Sequence, residues 1–140
     1  MPNRVPIEPG FFTIPEDRDV PPRLLGSRCS ACGEYFFPRR QVCARCLVTD
    51  LQDTELGPRG TLYTFTYVHV PFFGSLRADA GAYGVGQVDL REGPRVQAVL
   101  SGGREELSIG MDVELDLETL YHTAEGDEVV IFRFRPAARA

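Results

Sequence analysis

Cys29-Ser30-Ala31-Cys32-Gly33 and, ten residues further on, Cys43-Ala44-Arg45-Cys46 use every cysteine of the chain. Two Cys-x-x-Cys pairs at this spacing read as tight knuckles that aim four thiolates at one metal ion, and the set suits Zn²⁺ in a closed tetrahedron. Gly33 follows the first knuckle, where a turn directed at a metal often needs positive φ. Leu47 follows the second, which therefore lacks that glycine. Four thiolates leave no open coordination position and no protein base beside the metal, so the expected ion is structural rather than hydrolytic. In so short a segment its binding free energy is largely the folding free energy of the module.

Two disulfides are the competing reading, and compartment decides against them. Met1 to Gly10 carries Pro2, Pro6 and Pro9 and no apolar run, unlike a secretory signal. The expectation is a reducing cytoplasm. No apolar stretch approaches the roughly 20 residues that cross a bilayer, so no membrane span is expected. The 140 residues hold 20 acids against 15 bases, a net charge of −5, and every base is arginine. The guanidinium fork suits phosphate and carboxylate recognition, although coding bias gives the same composition.

Composition divides the chain into three parts. Residues 1–22 are proline-rich without strand or helix periodicity and predict an extended arm, whose Phe11, Phe12 and Ile14 suit docking onto this chain or a partner. Residues 23–57 predict the metal ribbon. Leu24-Leu25 leads into the first knuckle, and Tyr35-Phe36-Phe37 leads away from it until Pro38; the trio either covers the metal site, which is the commoner use, or faces a neighbour. Gly57-Pro58-Arg59-Gly60 carries the turn residues of a boundary.

Over residues 58–137 the period becomes two. Thr61 to Val70 is dense in β-branched and aromatic residues, and Met111, Val113, Leu115 and Leu117 alternate with Asp112, Glu114, Asp116 and Glu118. Further strands are predicted at Tyr83 to Leu90, Arg95 to Ser101 and Glu128 to Phe134, and Arg91-Glu92-Gly93-Pro94 supplies a hairpin turn. The fold expected is all-β: an N-terminal rubredoxin-like zinc ribbon followed by a five-stranded OB-fold barrel with long first and fourth connections. An open sheet would leave unprotected edges. Phe72 and Phe73 beside Arg77, in the first connection, offer an apolar site with a cation for an acyl chain, a nucleotide or a partner surface; alternatively the rings plug the barrel end. His69, expected on one strand face with Tyr63, Phe65 and Tyr67, and His122, expected in the loop before Gly126, read as isolated structural or surface histidines.

In sequence order, Arg23-Leu24-Leu25, the first knuckle, Phe37-Pro38-Arg39, the second knuckle and Gly60-Thr61-Leu62-Tyr63-Thr64-Phe65-Thr66 resemble the acyl-CoA-associated zinc-ribbon plus OB-fold family known as domain of unknown function 35. The likeness continues through Ala82 to Leu90, Ile109-Gly110-Met111-Asp112-Val113 and Val130 to Pro136, and spans roughly residues 20 to 137. The missing glycine after Cys46 and the proline-rich arm depart from the family pattern. The resemblance implies a non-catalytic accessory subunit of an acyl-CoA thiolase or retro-aldolase, with a thiolase-fold catalytic partner, two copies of each chain, and a coenzyme A thioester as shared substrate. It leaves Phe72, Phe73, Arg77, Arg39 and Arg40 as candidates for contact with acyl-CoA or the partner. The residues agree with a non-catalytic role, because no cysteine remains free once a metal takes four, and thiolase chemistry needs a reactive one.

Three other readings compete. The partner could be an acyl-CoA hydratase. Zinc ribbons and OB barrels also bind single-stranded nucleic acid, but a net charge of −5 and the acids of the fourth barrel strand oppose a phosphate track. An iron-bearing electron carrier would use the same four thiolates, and the ten-residue spacer disfavours it.

Overall fold

The computed structural model describes residues 3–68 and 83–137. Its strands are β1 (Arg4–Pro6), β2 (Leu24–Cys29), β3 (Tyr35–Phe36), β4 (Leu51–Leu56), β5 (Arg59–Val68), β6 (Tyr83–Leu90), β7 (Arg95–Leu100), β8 (Asp112–His122) and β9 (Glu128–Pro136). One short 3-10 turn, Arg104–Glu106, interrupts them. Among the described residues no helix is long and apolar enough to cross a membrane.

The barrel follows from alternation. Along β6, Gly84, Gly86, Val88 and Leu90 face inward, and their neighbours face out. β7 does the same with Val96, Ala98 and Leu100. Strands β5, β6 and β7 form an antiparallel meander, β7 lies parallel to β9, β9 pairs with β8, and β8 returns to β5. Five strands therefore close on themselves, as expected of an OB barrel. Closure between β7 and β9 uses only Val99↔Arg133 and Leu100↔Phe134. The earlier part of the β9 edge, Glu128 to Val130, is taken by β1, also in parallel. The arm thus supplies pairing along an edge that β7 leaves open.

Inside lie Leu62, Val88, Val113, Leu115, Val130 and Phe134, all almost wholly excluded from solvent. The barrel is narrow enough to need glycine at Gly86, where an added Cβ would stand 2.8 Å from Leu100 Cδ1 and 2.9 Å from Leu62 Cδ1.

Two expectations are corrected. The pairing of β5 with β6 slips between Leu62 and Thr64. One extra residue reverses the side-chain alternation beyond it, so Phe65 and Tyr67 pack against the core while Tyr63 points outward, 49% exposed. These three therefore do not share a face, and His69 lies outside the described residues. In addition, β8 runs on to His122, so that the fourth connection is a short turn closed by the Thr123 N–H to Asp127 O bond of 2.9 Å. His122 ends a strand, with Nε2 3.9 Å from Glu128. The acids of β8 do form a row, but it is partly neutralised: Glu114 faces Arg59 and Arg135, and Asp116 and Glu118 face Arg133.

The ribbon is a three-stranded antiparallel sheet in the order β3-β2-β4. Its Leu24 and Leu56 are fully buried and belong to the same apolar cluster as the barrel interior. The arm joins that cluster through Phe12, which is 6% exposed and bridges Leu24. Main-chain bonds from Thr13 N–H to Arg23 O and from Leu25 N–H to Phe11 O, both 2.8 Å, fix the arm along β2. The arm therefore docks onto its own chain. The aromatic trio takes the less common of its two readings: Tyr35 and Phe37 pack against the shared core, and Phe36 lies under the Arg40 guanidinium at 5.3 Å. A ribbon with so little interior of its own gains more from lending its rings to the barrel junction than from roofing the metal.

Candidate metal centre

Each knuckle is built by the same main-chain pattern. In the first, Gly33 N–H donates to Cys29 O and Cys29 N–H to Glu34 O, both at 2.9 Å. In the second, Leu47 N–H donates to Cys43 O and Cys43 N–H to Val48 O, again at 2.9 Å. The turn requires a left-handed residue at its end. Gly33 adopts φ 78 without steric cost, whereas Leu47 adopts φ 66 with a Cβ in the way. That conformation costs a leucine roughly 1–2 kcal/mol.

The two knuckles bring all four sulfurs within 4.8 Å of one another. Cys29 and Cys46 Sγ stand 3.5 Å apart, and Cys32 and Cys43 Sγ 3.7 Å apart. A tetrahedron with Zn–S bonds of about 2.3 Å has edges of about 3.8 Å. The donor set fits structural zinc, with Cys29 and Cys43 buried and Cys32 and Cys46 on the solvent side.

The thiols are not equivalent. The Cys32 and Ala31 N–H groups bring the Cys29 thiol below its ordinary value despite burial. Burial pushes Cys43 up, but the N–H groups of Cys46 and Arg45 outweigh it and hold the thiol at about 6. The Val48 N–H lowers Cys46, yet the facing Cys29 sulfur and burial prevail and raise it to about 12. Cys32 is lowered by the Glu34 N–H, and burial with the facing Cys29 and Cys43 sulfurs raises it overall. Across each close S···S contact one sulfur is thus disposed to ionise and the other to keep the proton.

Ser27 is a residue that sequence reasoning missed. It is 1% exposed, and its Oγ accepts the Arg40 N–H at 2.9 Å, tying the approach to the second knuckle onto β2. A lone serine between Gly26 and Arg28 carries no signal for that task. Of the candidate contact residues, Arg39 reaches Asp53 at 3.3 Å and Arg40 stacks on Phe36, so both sit on the ribbon surface. Phe72, Phe73 and Arg77 lie outside the described residues. An apolar cleft of about 220 Å³ opens where arm, ribbon and barrel meet, lined by Ile7, Phe11, Phe12, Phe37 and Phe132 with Glu8 among them.

With this geometry in place, comparison with known proteins is specific. The family model for the ChsH2 rubredoxin-like zinc ribbon domain matches residues 20–52, and that for the ChsH2 C-terminal OB-fold domain matches residues 53–118. A DUF35 domain-containing scaffold protein of Methanocaldococcus jannaschii is 32% identical, over 81% of this chain and 81% of its own length. The benzoylsuccinyl-CoA thiolase subunit BbsA of Thauera aromatica is 29% identical, over 91% of this chain and 85% of its own. Among solved structures, the Ltp2-ChsH2(DUF35) aldolase superposes with a TM-score of 0.66 at 30% identity, covering 83% of this chain and 86% of that one. In sequence, ribbon, barrel and their order, this chain belongs to the ChsH2-type zinc-ribbon plus OB-fold family, DUF35.

Proposed function

We propose that this chain is the non-catalytic accessory subunit of an enzyme that makes or breaks carbon–carbon bonds in acyl-CoA thioesters, of thiolase or aldolase type, in a reducing compartment such as the cytoplasm. One observation carries the non-catalytic half: the only four thiols of the chain face one another in a single metal-type cluster. A thiolase nucleophile must be a free, activated cysteine, so the partner has to provide it. Relatives named as a thiolase subunit, and a structural neighbour named as an aldolase complex, support the other half.

Within that reading the metal holds the ribbon as a rigid platform, and the barrel and arm are welded to it through the shared core. The partner is a thiolase-fold subunit, with two copies of each chain the arrangement that symmetry favours. A coenzyme A thioester is the shared substrate. Arg39 and Arg40 on the ribbon and Phe72, Phe73 and Arg77 in the first barrel connection are proposed to meet its phosphates, its acyl group or the partner's surface.

The test is affinity purification of the tagged chain from its native cell extract, with mass spectrometry of co-purifying protein and metal analysis. Recovery of a thiolase-fold subunit in fixed ratio, with one zinc per copy of this chain, is the expected result. Recovery of a hydratase would move the reading to that partner class. Nucleic acid, or the chain alone with iron, would overturn it.

A further inference from the structure

Leu47 combines two unfavourable properties. It is the only non-glycine residue with positive φ among the described residues, and it is 75% exposed. The equivalent turn of the first knuckle is made by Gly33 without that strain. The knuckle imposes that conformation on whatever residue stands there, strained residues of this kind cluster at functional sites, and a side chain so exposed gains little from packing within this chain. Val42, 42% exposed, lies just across the same turn, which the Cys43 N–H to Val48 O bond closes. Two large aliphatic side chains thus crown one knuckle.

Their sequence setting is basic. Residues 35–49 contain Arg39, Arg40 and Arg45 and no acid, in a chain of net charge −5. The pairs Arg39–Asp53 and Arg45–Glu34, both 3.3 Å, are exposed and bind weakly. Arg40 has no carboxylate partner among the described residues and rests on the Phe36 ring. A phosphate ligand would use the arginines but gain nothing from Leu47 and Val42. A protein socket with an apolar floor and an acidic rim uses both.

We infer that the second knuckle is a docking tip: Leu47, flanked by Val42, seats in an apolar socket of the catalytic subunit, and carboxylates on the socket's rim meet Arg39, Arg40 and Arg45. This deepens the accessory-subunit reading and rests on it. The left-handed turn projects the Leu47 side chain off the knuckle, and glycine there would stabilise the free chain while removing the anchor.

The experiment uses the full zinc-loaded chain, with the catalytic subunit recovered by co-purification as the probe in calorimetric titration. Leu47→Gly is expected to raise the thermal midpoint of the free chain by a few degrees while weakening the complex about ten-fold or more. Leu47→Asn, which tolerates the left-handed region, should weaken it similarly with zinc content intact, and Leu47→Met should stay within about three-fold of wild type. Wild-type affinity in both the Gly and Asn variants overturns the docking tip while leaving the accessory role in place. Unchanged subunit affinity with a reduced affinity for free coenzyme A would also overturn it, reassigning the tip to ligand. Failure to recover any catalytic subunit overturns the accessory reading and this surface together.

Discussion

The ring of Phe37 stands edge-on to that of Phe132, with centroids 5.9 Å apart and planes at 88°. One ring comes from the ribbon and the other from the last barrel strand. Phe11 and Phe12 of the arm extend the cluster, 6.2 Å from Phe37 and 5.7 Å from Phe132. The pair therefore couples two modules that each have a small interior.

Replacing either ring tests that coupling. Phe132→Ala should cost about 3 kcal/mol, at the lower end for large aromatic truncation because the ring is only partly buried. Phe37→Ala should cost somewhat less. In urea unfolding, the double variant should lose less than the sum, with a coupling of about 0.5–1.5 kcal/mol for an edge-to-face pair. Strict additivity would show that ribbon and barrel are not held together through these rings.

Detaching the arm is a separate test. Phe12→Ala removes a side chain that is 6% exposed and should destabilise by about 3 kcal/mol. Hydrogen exchange should speed up at Leu25, whose N–H is bonded to Phe11 O, and at the β9 residues opposite Arg4, Val5 and Pro6. Exchange unchanged at both places would mean that the arm is held by its main-chain bonds alone.

At Gly86 the narrow barrel makes a sharp prediction. A methyl group there meets Leu100 Cδ1, Leu62 Cδ1 and, at 3.0 Å, the Thr64 carbonyl oxygen. The carbonyl cannot turn aside as a side chain can, so Gly86→Ala should destabilise by about 1–3 kcal/mol. A neutral result in chemical denaturation would show that the barrel is wider than this packing.

Zinc loading should carry a proton signature. Four ordinary thiols near 9.0 would release close to four protons per zinc at pH 7, but Cys43 is held at about 6 and Cys29 is also lowered. Titration in buffers of different ionisation enthalpy should therefore give about three protons or fewer. The sign is set by linkage: a thiol held below 9.0 favours the folded ribbon above that pH, and its contribution fades as pH falls through about 6. Zinc affinity should accordingly drop more steeply below about pH 6, where Cys43 regains its proton. Four protons released at pH 7 would contradict the inequality of the thiols.

Much of this architecture was legible because it rests on local pattern. The two knuckles, the strict alternation of residues 111–118 and the turn at Arg91 to Pro94 each state their geometry in a few residues. What stayed hidden depends on distant partners. Leu51-Gln52-Asp53-Thr54-Glu55-Leu56 has no apolar alternation, since β4 buries mainly its Leu56 end and exists by pairing with β2. The slip beside Tyr63 is a property of register rather than composition, so it reverses an alternation that the sequence pattern continues. The absent glycine after Cys46 was visible, but not that Leu47 takes the glycine conformation anyway.

The parallel pairing of Arg4 with Glu128 and Val5 with Val129 has a consequence for how the molecule is made. Of the described strands, the one that finishes the β9 edge is synthesised before the others, and its place does not exist until β9 has followed. Contacts so far apart in sequence form late and slow folding. Meanwhile a new β9 presents the bare backbone of Glu128 to Val130, an edge to which a neighbouring nascent chain could add its own arm. Exchange of arms between copies is thus the misassembly to which this topology is most exposed during synthesis.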